Sequence, residues 1–110
     1  TIPVIDAKLV NMASDIPWAI HQYGCVMVGL QIDEGWLAPR KPDFLITPSG
    51  NALGGHAVVV NWYDLDKRRL GGPNWWGEDG DRWSMDMDDF AKQFQYGYAL
   101  AIRWPSKGEP

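Results

Sequence analysis

Three residue types in this chain are arranged so that they could move a proton. His56 opens the apolar run Gly54-Gly55-His56-Ala57-Val58-Val59-Val60-Asn61-Trp62-Tyr63-Asp64, and Asn74 follows within Gly72-Pro73-Asn74-Trp75-Trp76-Gly77. An imidazole titrates nearest neutrality of the side chains, so it can serve as both base and acid. A neutral amide oxygen accepting from one ring N–H fixes the tautomer and the direction of the ring without adding a charge. The Trp76 indole would keep water from that bond and strengthen it. Such chemistry also needs a nucleophile, and the chain has one cysteine, Cys25. Cys25 heads an apolar run, a placement that suits a buried, inert thiol rather than one activated at a helix N-terminus.

These residues have to be held by the elements around them. Residues 56–63 read as a strand, with Asp64-Leu65-Asp66-Lys67 as its turn. Alternation puts His56, Val58, Val60 and Trp62 on one face and Ala57, Val59, Asn61 and Tyr63 on the other. Residues 25–32 form a second strand, apolar almost throughout and bounded by Gly24 and Asp33-Glu34-Gly35, which implies burial on both faces. Ahead of it, Ser14 or Asp15 caps a short helix over 16–23, with Pro17 in its first turn and Gly24 as its stop. A second helix spans 87–95: Asp86 caps it, Met87, Phe90 and Phe94 form its apolar stripe, and Gly97 ends it. Tyr98, Leu100, Ile102 and Trp104 alternate as a last strand. Residues 4–12 suit either a short helix or an extended lead-in strand. Pro39, Pro42, Pro48 and Gly50 make 33–55 a long loop, of a length that is usually functional or packed down.

Composition narrows the class. A chain of 110 residues with 45% hydrophobic and 22% charged residues is an ordinary globular domain, here residues 1–104 followed by a polar tail, 105–110. No internal repeat appears. The net charge is −4 and Lys67-Arg68-Arg69 is the one tight basic cluster, which argues against a phosphate-neutralising face and so against a nucleic-acid partner. No apolar run approaches the ~20 residues that span a bilayer, and the first residues lack the pattern of a signal peptide, so a soluble chain without a membrane partner is expected. One cysteine excludes an intrachain disulfide, CxxC chemistry and a thiolate zinc site. His21 and His56 stand far apart, and the acidic residues between 78 and 89 lack the ligand order of a calcium loop, so no metal and no cofactor is expected. Those acidic residues read as a solvated loop, with Asp88 and Asp89 complementing a helix dipole. Seven tryptophans are the compositional excess.

The two segments together resemble the C1 family of papain-like cysteine peptidases. There, His-Ala-Val opens a strand ending in Gly-Tyr, and a later Asn-Ser-Trp-Gly supplies the orienting amide. His56 matches the family's catalytic histidine, Ala57-Val58 its continuation, Tyr63 and Asp64 the strand end, and Asn74, Trp76 and Gly77 the asparagine motif. Residues 16–32 resemble the helix and Pro-Val-x-Val-x-Ile strand ahead of that histidine, and 80–90 the later Gly-Tyr-Phe-x-Met strand and its helix, so the likeness covers 3–102. Asn61-Trp62 replaces the usual Val-Gly and Trp75 replaces Ser. Another alignment sets Trp76-Gly77 on the family's second Trp-Gly and leaves Leu70 at the asparagine position. The nucleophilic cysteine and the oxyanion-hole glutamine, which precede all of this in the family, have no counterpart here.

The resemblance implies an α+β fold: a twisted, mostly antiparallel sheet with one or two short packed helices, like the sheet-bearing half of such a peptidase. Three functions follow. In the first, the chain is a catalytically incomplete module that acts by binding, as a structural or interaction subunit of a larger assembly such as a virus or phage particle. In the second, His56, Asn74 and the shielding Trp76 belong to a cysteine peptidase whose Cys-bearing half is a separate chain or an upstream segment, and a peptide substrate is turned over only with that half present. In the third, a rearranged hydrolase uses Cys25 itself.

Overall fold

The computed structural model describes residues 4–77 and 80–103; the polar tail, Trp104 and the pair 78–79 lie outside the described residues. In chain order the elements are β1 (Val4–Val10), α1 (Ile16–Tyr23), β2 (Val26–Asp33), β3 (Ala52–Val60), β4 (Trp62–Asp64), β5 (Arg69–Pro73), β6 (Arg82–Asp86), α2 (Met87–Gln93) and β7 (Phe94–Arg103). Short 3-10 turns at Ala13–Asp15 and Glu34–Leu37 join them. The architecture is α+β with antiparallel strand pairing, but the single sheet expected is two: one of order β1-β7-β2-β3 and one of order β4-β5-β6.

Local chemistry explains most boundaries. The first helix buries Ile16, Ala19 and Ile20, one face at i, i+3 and i+4, and Gly24 closes it at φ 94 with its N–H on the Ile20 carbonyl. Neither Ser14 nor Asp15 gives it a side-chain cap; the 3-10 turn runs straight into it instead. Asp86 does cap α2, accepting from the Asp88 N–H at 2.9 Å. That helix stops at Gln93, two residues short of the expected 95, because Phe94 turns extended and starts β7 without a loop. Gly97, expected as a helix stop, is a strand residue: it pairs with both Val10 and Val28, and a Cβ there would come 3.2 Å from Val26 Cγ1.

The two central strands carry the core. Val26, Val28, Leu30 and Ile32 of β2 are buried, opposite Val58 and Val60 of β3. Burial is on one face, not both: Met27 and Gln31 are exposed, and β7 covers Gly29 with the Tyr96 ring. One hydrophobic cluster draws on both sheets and both helices, joining Ile16, Val28, Val58, Leu70, Met85 and Phe90. Each such side chain contributes about 1.5–3 kcal/mol relative to exposure.

The strand expected over 56–63 is divided. It starts earlier, at Ala52, and ends at Val60; the Asn61 N–H donates to the Gly71 carbonyl at 2.9 Å, and residues 62–64 join the second sheet. Trp62 therefore leaves the face of His56, Val58 and Val60 and is 40% exposed. The crossing is tight: a Cβ on Gly72 of β5 would sit 2.1 Å from the Val59 carbonyl oxygen of β3. Only glycine lets the two backbones approach so closely.

Candidate functional site

His56 is on β3 opposite Leu30 of β2, half-buried at the end of the buried valine row. Asn74 directly follows β5 and is 7% exposed. A loop between β5 and β6 holds it, through Asn74 N–H to the Asp81 carbonyl at 2.8 Å and Trp76 N–H to the Gly80 carbonyl at 3.1 Å. This brings His56 Nε2 to 3.3 Å from Asn74 Oδ1. The same oxygen accepts from the Trp75 backbone N–H at 3.0 Å. A backbone N–H can only donate, so it identifies that amide atom as the oxygen, and His56 Nε2 must then carry the proton. The Nδ1 lone pair is left to act as a base.

Three indoles lie near the His56 ring. The Trp76 ring centroid is 4.7 Å from that of His56 at an interplanar angle of 37°, and Trp75 is 6.1 Å away. Trp36 meets His56 edge-on at 5.6 Å and packs on Trp83 at 5.1 Å. His56, Asn74 and Trp76, the residues singled out from the sequence, are thus brought together. Leu70, the alternative at the asparagine position, is a core residue at 1% exposure.

Cys25 is not brought to the site. It precedes Val26, which pairs with Val60, whereas His56 pairs with Leu30. Five residues of strand, at ~3.3 Å each, separate the two positions by roughly 17 Å. Cys25 and His56 therefore do not form a thiol–imidazole pair.

Trp36 and Gln93 complete the site and were not among the residues inferred from sequence. The loop expected over 33–55 is shortened by the strands at both ends to 34–51, and it is packed down: Asp33 Oδ1 accepts from the Gly35 N–H at 2.9 Å, and the Glu34 N–H reaches the Asn51 carbonyl at 3.1 Å. The resulting turn buries Trp36 to 1% exposure, with its Nε1–H donated to Gln93 Oε1 at 2.8 Å. Gln93 Nε2 in turn donates to Asp33 Oδ2 at 3.2 Å. The signal for Gln93 lay in its spacing, since a polar residue three positions after Phe90 falls on the apolar face of α2.

Beside the ring cluster, Trp36, Leu37, Pro39, Trp76 and Gly80 line a cleft of about 340 Å³. Among the described residues no three His, Cys, Asp or Glu side chains converge as metal ligands, and no helix is long and apolar enough to cross a membrane. No protein family, curated protein or solved structure matches the chain.

Proposed function

We propose that this chain is the base-bearing half of a papain-like thiol hydrolase centre, catalytically incomplete alone and acting by association with a cysteine-bearing polypeptide. That polypeptide is a separate chain or another segment of a longer one. The observation that carries the reading is the sharing of Asn74 Oδ1 between the Trp75 N–H and His56 Nε2. It fixes the imidazole as the Nε2–H tautomer, so Nδ1 can take the proton of an incoming thiol and later return it to a leaving amine.

The surroundings support an added partner. Trp75 and Trp76 flank the imidazole at 61% and 41% exposure, and large indoles are what interfaces use as anchors. Cys25, directly before β2, does not supply the thiol. No cofactor enters the chemistry of this reading, which needs only thiol, imidazole and amide.

Two measurements test it. The purified chain should hydrolyse no fluorogenic peptide in a His56-dependent manner, and iodoacetamide should label Cys25 slowly and equally with or without His56→Ala. Isolated with its native assembly, the chain should accompany a polypeptide that an epoxysuccinyl thiol probe labels, and His56→Ala should cut that labelling by roughly a hundredfold or more. Peptide turnover by the chain alone, abolished by His56→Ala, would overturn the proposal. An assembly without any probe-reactive thiol would leave the chain a structural or interaction subunit.

A further inference from the structure

The outward face of the β4-β5-β6 sheet carries features that the His56 site does not use. Register sets Trp62, Gly71 and Ser84 in one row across the three strands, with Asp64 opposite Arg69, and Arg82 opposite Pro73. The Trp62 indole lies across Gly71, where a Cβ would meet Cζ2 at 2.7 Å. Together with Lys67 and the loop residues Pro42 and Asp43, these side chains line a cleft of about 340 Å³. A second cleft of about 400 Å³ adjoins it, sharing Pro42, Asp43 and Arg69 and adding Arg40 and Lys41.

The shared wall is fastened to the sheet. The Ser84 N–H donates to the Phe44 carbonyl at 3.0 Å, Ser84 Oγ to the Asp43 carbonyl at 2.8 Å, and the Ile46 N–H to the Ser84 carbonyl at 2.8 Å. The Arg82 guanidinium lies 4.9 Å over the Phe44 ring and the Lys41 ammonium 5.9 Å from it, so cation–π contacts hold both charges at the rim.

Charge is unevenly placed here. Five of the ten basic residues line the two clefts, against two lining carboxylates, Asp43 and Asp64, and a third, Asp81, that accepts from Arg82 Nε at 3.4 Å beside them with both side chains exposed. The lining is therefore locally positive in a chain of net charge −4. The Arg69–Asp43 pair is loose at 3.7 Å, with side chains 32% and 67% exposed. A pair of that kind is weak and exchanges easily for a better acceptor.

We propose that this double cleft docks an acidic peptide segment of a partner protein, one that sets an aromatic side chain between its carboxylates. Guanidinium forks at Arg69 and Arg82 match carboxylates bidentately, and the exposed indole of Trp62 offers a face for an aromatic ring. Two adjoining clefts suit an extended segment better than a single ion. Asp43 and Asp64 interrupt the positive rim, which repels a continuous phosphate backbone but leaves room for spaced carboxylates. The surface stands independently of the His56 reading.

Fluorescence polarisation with a labelled Glu-Glu-Tyr-Glu-Glu probe tests this directly. Binding at low salt should weaken about tenfold or more on raising ionic strength to about 0.3 M. The Gln-Gln-Tyr-Gln-Gln probe should not bind. The double variant Arg69→Gln/Arg82→Gln should weaken binding at least about tenfold, and Trp62→Ala about fivefold, with circular dichroism verifying that each is folded. Absence of binding by the folded wild-type chain at millimolar probe overturns the proposal. So does binding indifferent to the arginine variants, or tighter binding of an oligothymidylate of the same length.

Discussion

Asn74 Oδ1 serves two donors at once, and the consequences of that sharing are confined to the residues it touches. Removing the oxygen leaves the Trp75 N–H and the imidazole N–H without their acceptor in a setting where Asn74 is buried. Asn74→Ala should cost about 1–3 kcal/mol in urea unfolding, the usual range for an orphaned buried donor. More diagnostic, ¹⁵N NMR of the neutral His56 ring should change from a predominant Nε2–H tautomer to a mixture, while Asn74→Asp, which keeps an acceptor, retains Nε2–H. Because a free neutral imidazole already favours Nε2–H, the readout is the appearance of a minor Nδ1–H population; its absence in Asn74→Ala would show that this amide is not what suppresses it. His56, Asn74 and Trp76 were legible in the sequence because each stands in a short motif whose chemistry depends on residue type. Trp36 was not, since it occupies an aperiodic stretch and is buried by bonds between residues far apart, Gln93 above all.

At the scale of elements, the site depends on where one strand passes to another sheet. The α1 bounds, the Asp86 cap, β2 and the body of β3 all follow from local pattern, and the structure agrees with each. The break at Asn61 did not, because the β-favouring run of valines and aromatics resumes at Trp62 and Tyr63 and marks no end of the strand. What ends β3 is a contact with another strand: Gly72 lies against the Val59 carbonyl, which also accepts the Trp83 indole N–H at 3.3 Å. Asn74 is two residues beyond that contact. Gly72→Ala should therefore force β5 away from β3, costing about 1–3 kcal/mol or more as overpacking does, and should also broaden the His56 tautomer distribution by displacing Asn74. Gly55→Ala, where a Cβ meets open space, is the control and should stay within about 0.5 kcal/mol. Chemical denaturation of the two variants side by side decides it; equal stability would mean that the sheet crossing tolerates a side chain.

Across the whole molecule, stability is distributed by how many strands each strand meets. Residues 97–99 of β7 pair with β1 on one side and β2 on the other, but 100–103 pair with β1 residues 4–7 and have no β2 partner. That end of the four-stranded sheet is a two-stranded ribbon, and such ribbons are marginal in water. Asp6 and Ala7 are exposed, and Leu100 and Ala101 are half-buried, so little apolar area compensates for ordering them. His56 lies at the opposite edge of the sheet, on the strand that contributes Val58 and Val60 to the core. His56 thus sits on an edge strand that its buried valines hold to the core, and the ribbon at the other edge is left to open separately. Native-state hydrogen exchange should show it: hydrogen-bonded amides among 6–7 and 100–101 should exchange on the order of a hundredfold faster than those of Val28, Val58 and Ala99. If protection instead runs undiminished to residue 101, the ribbon is part of the global unfolding unit, and the difference in strand pairing has no energetic consequence.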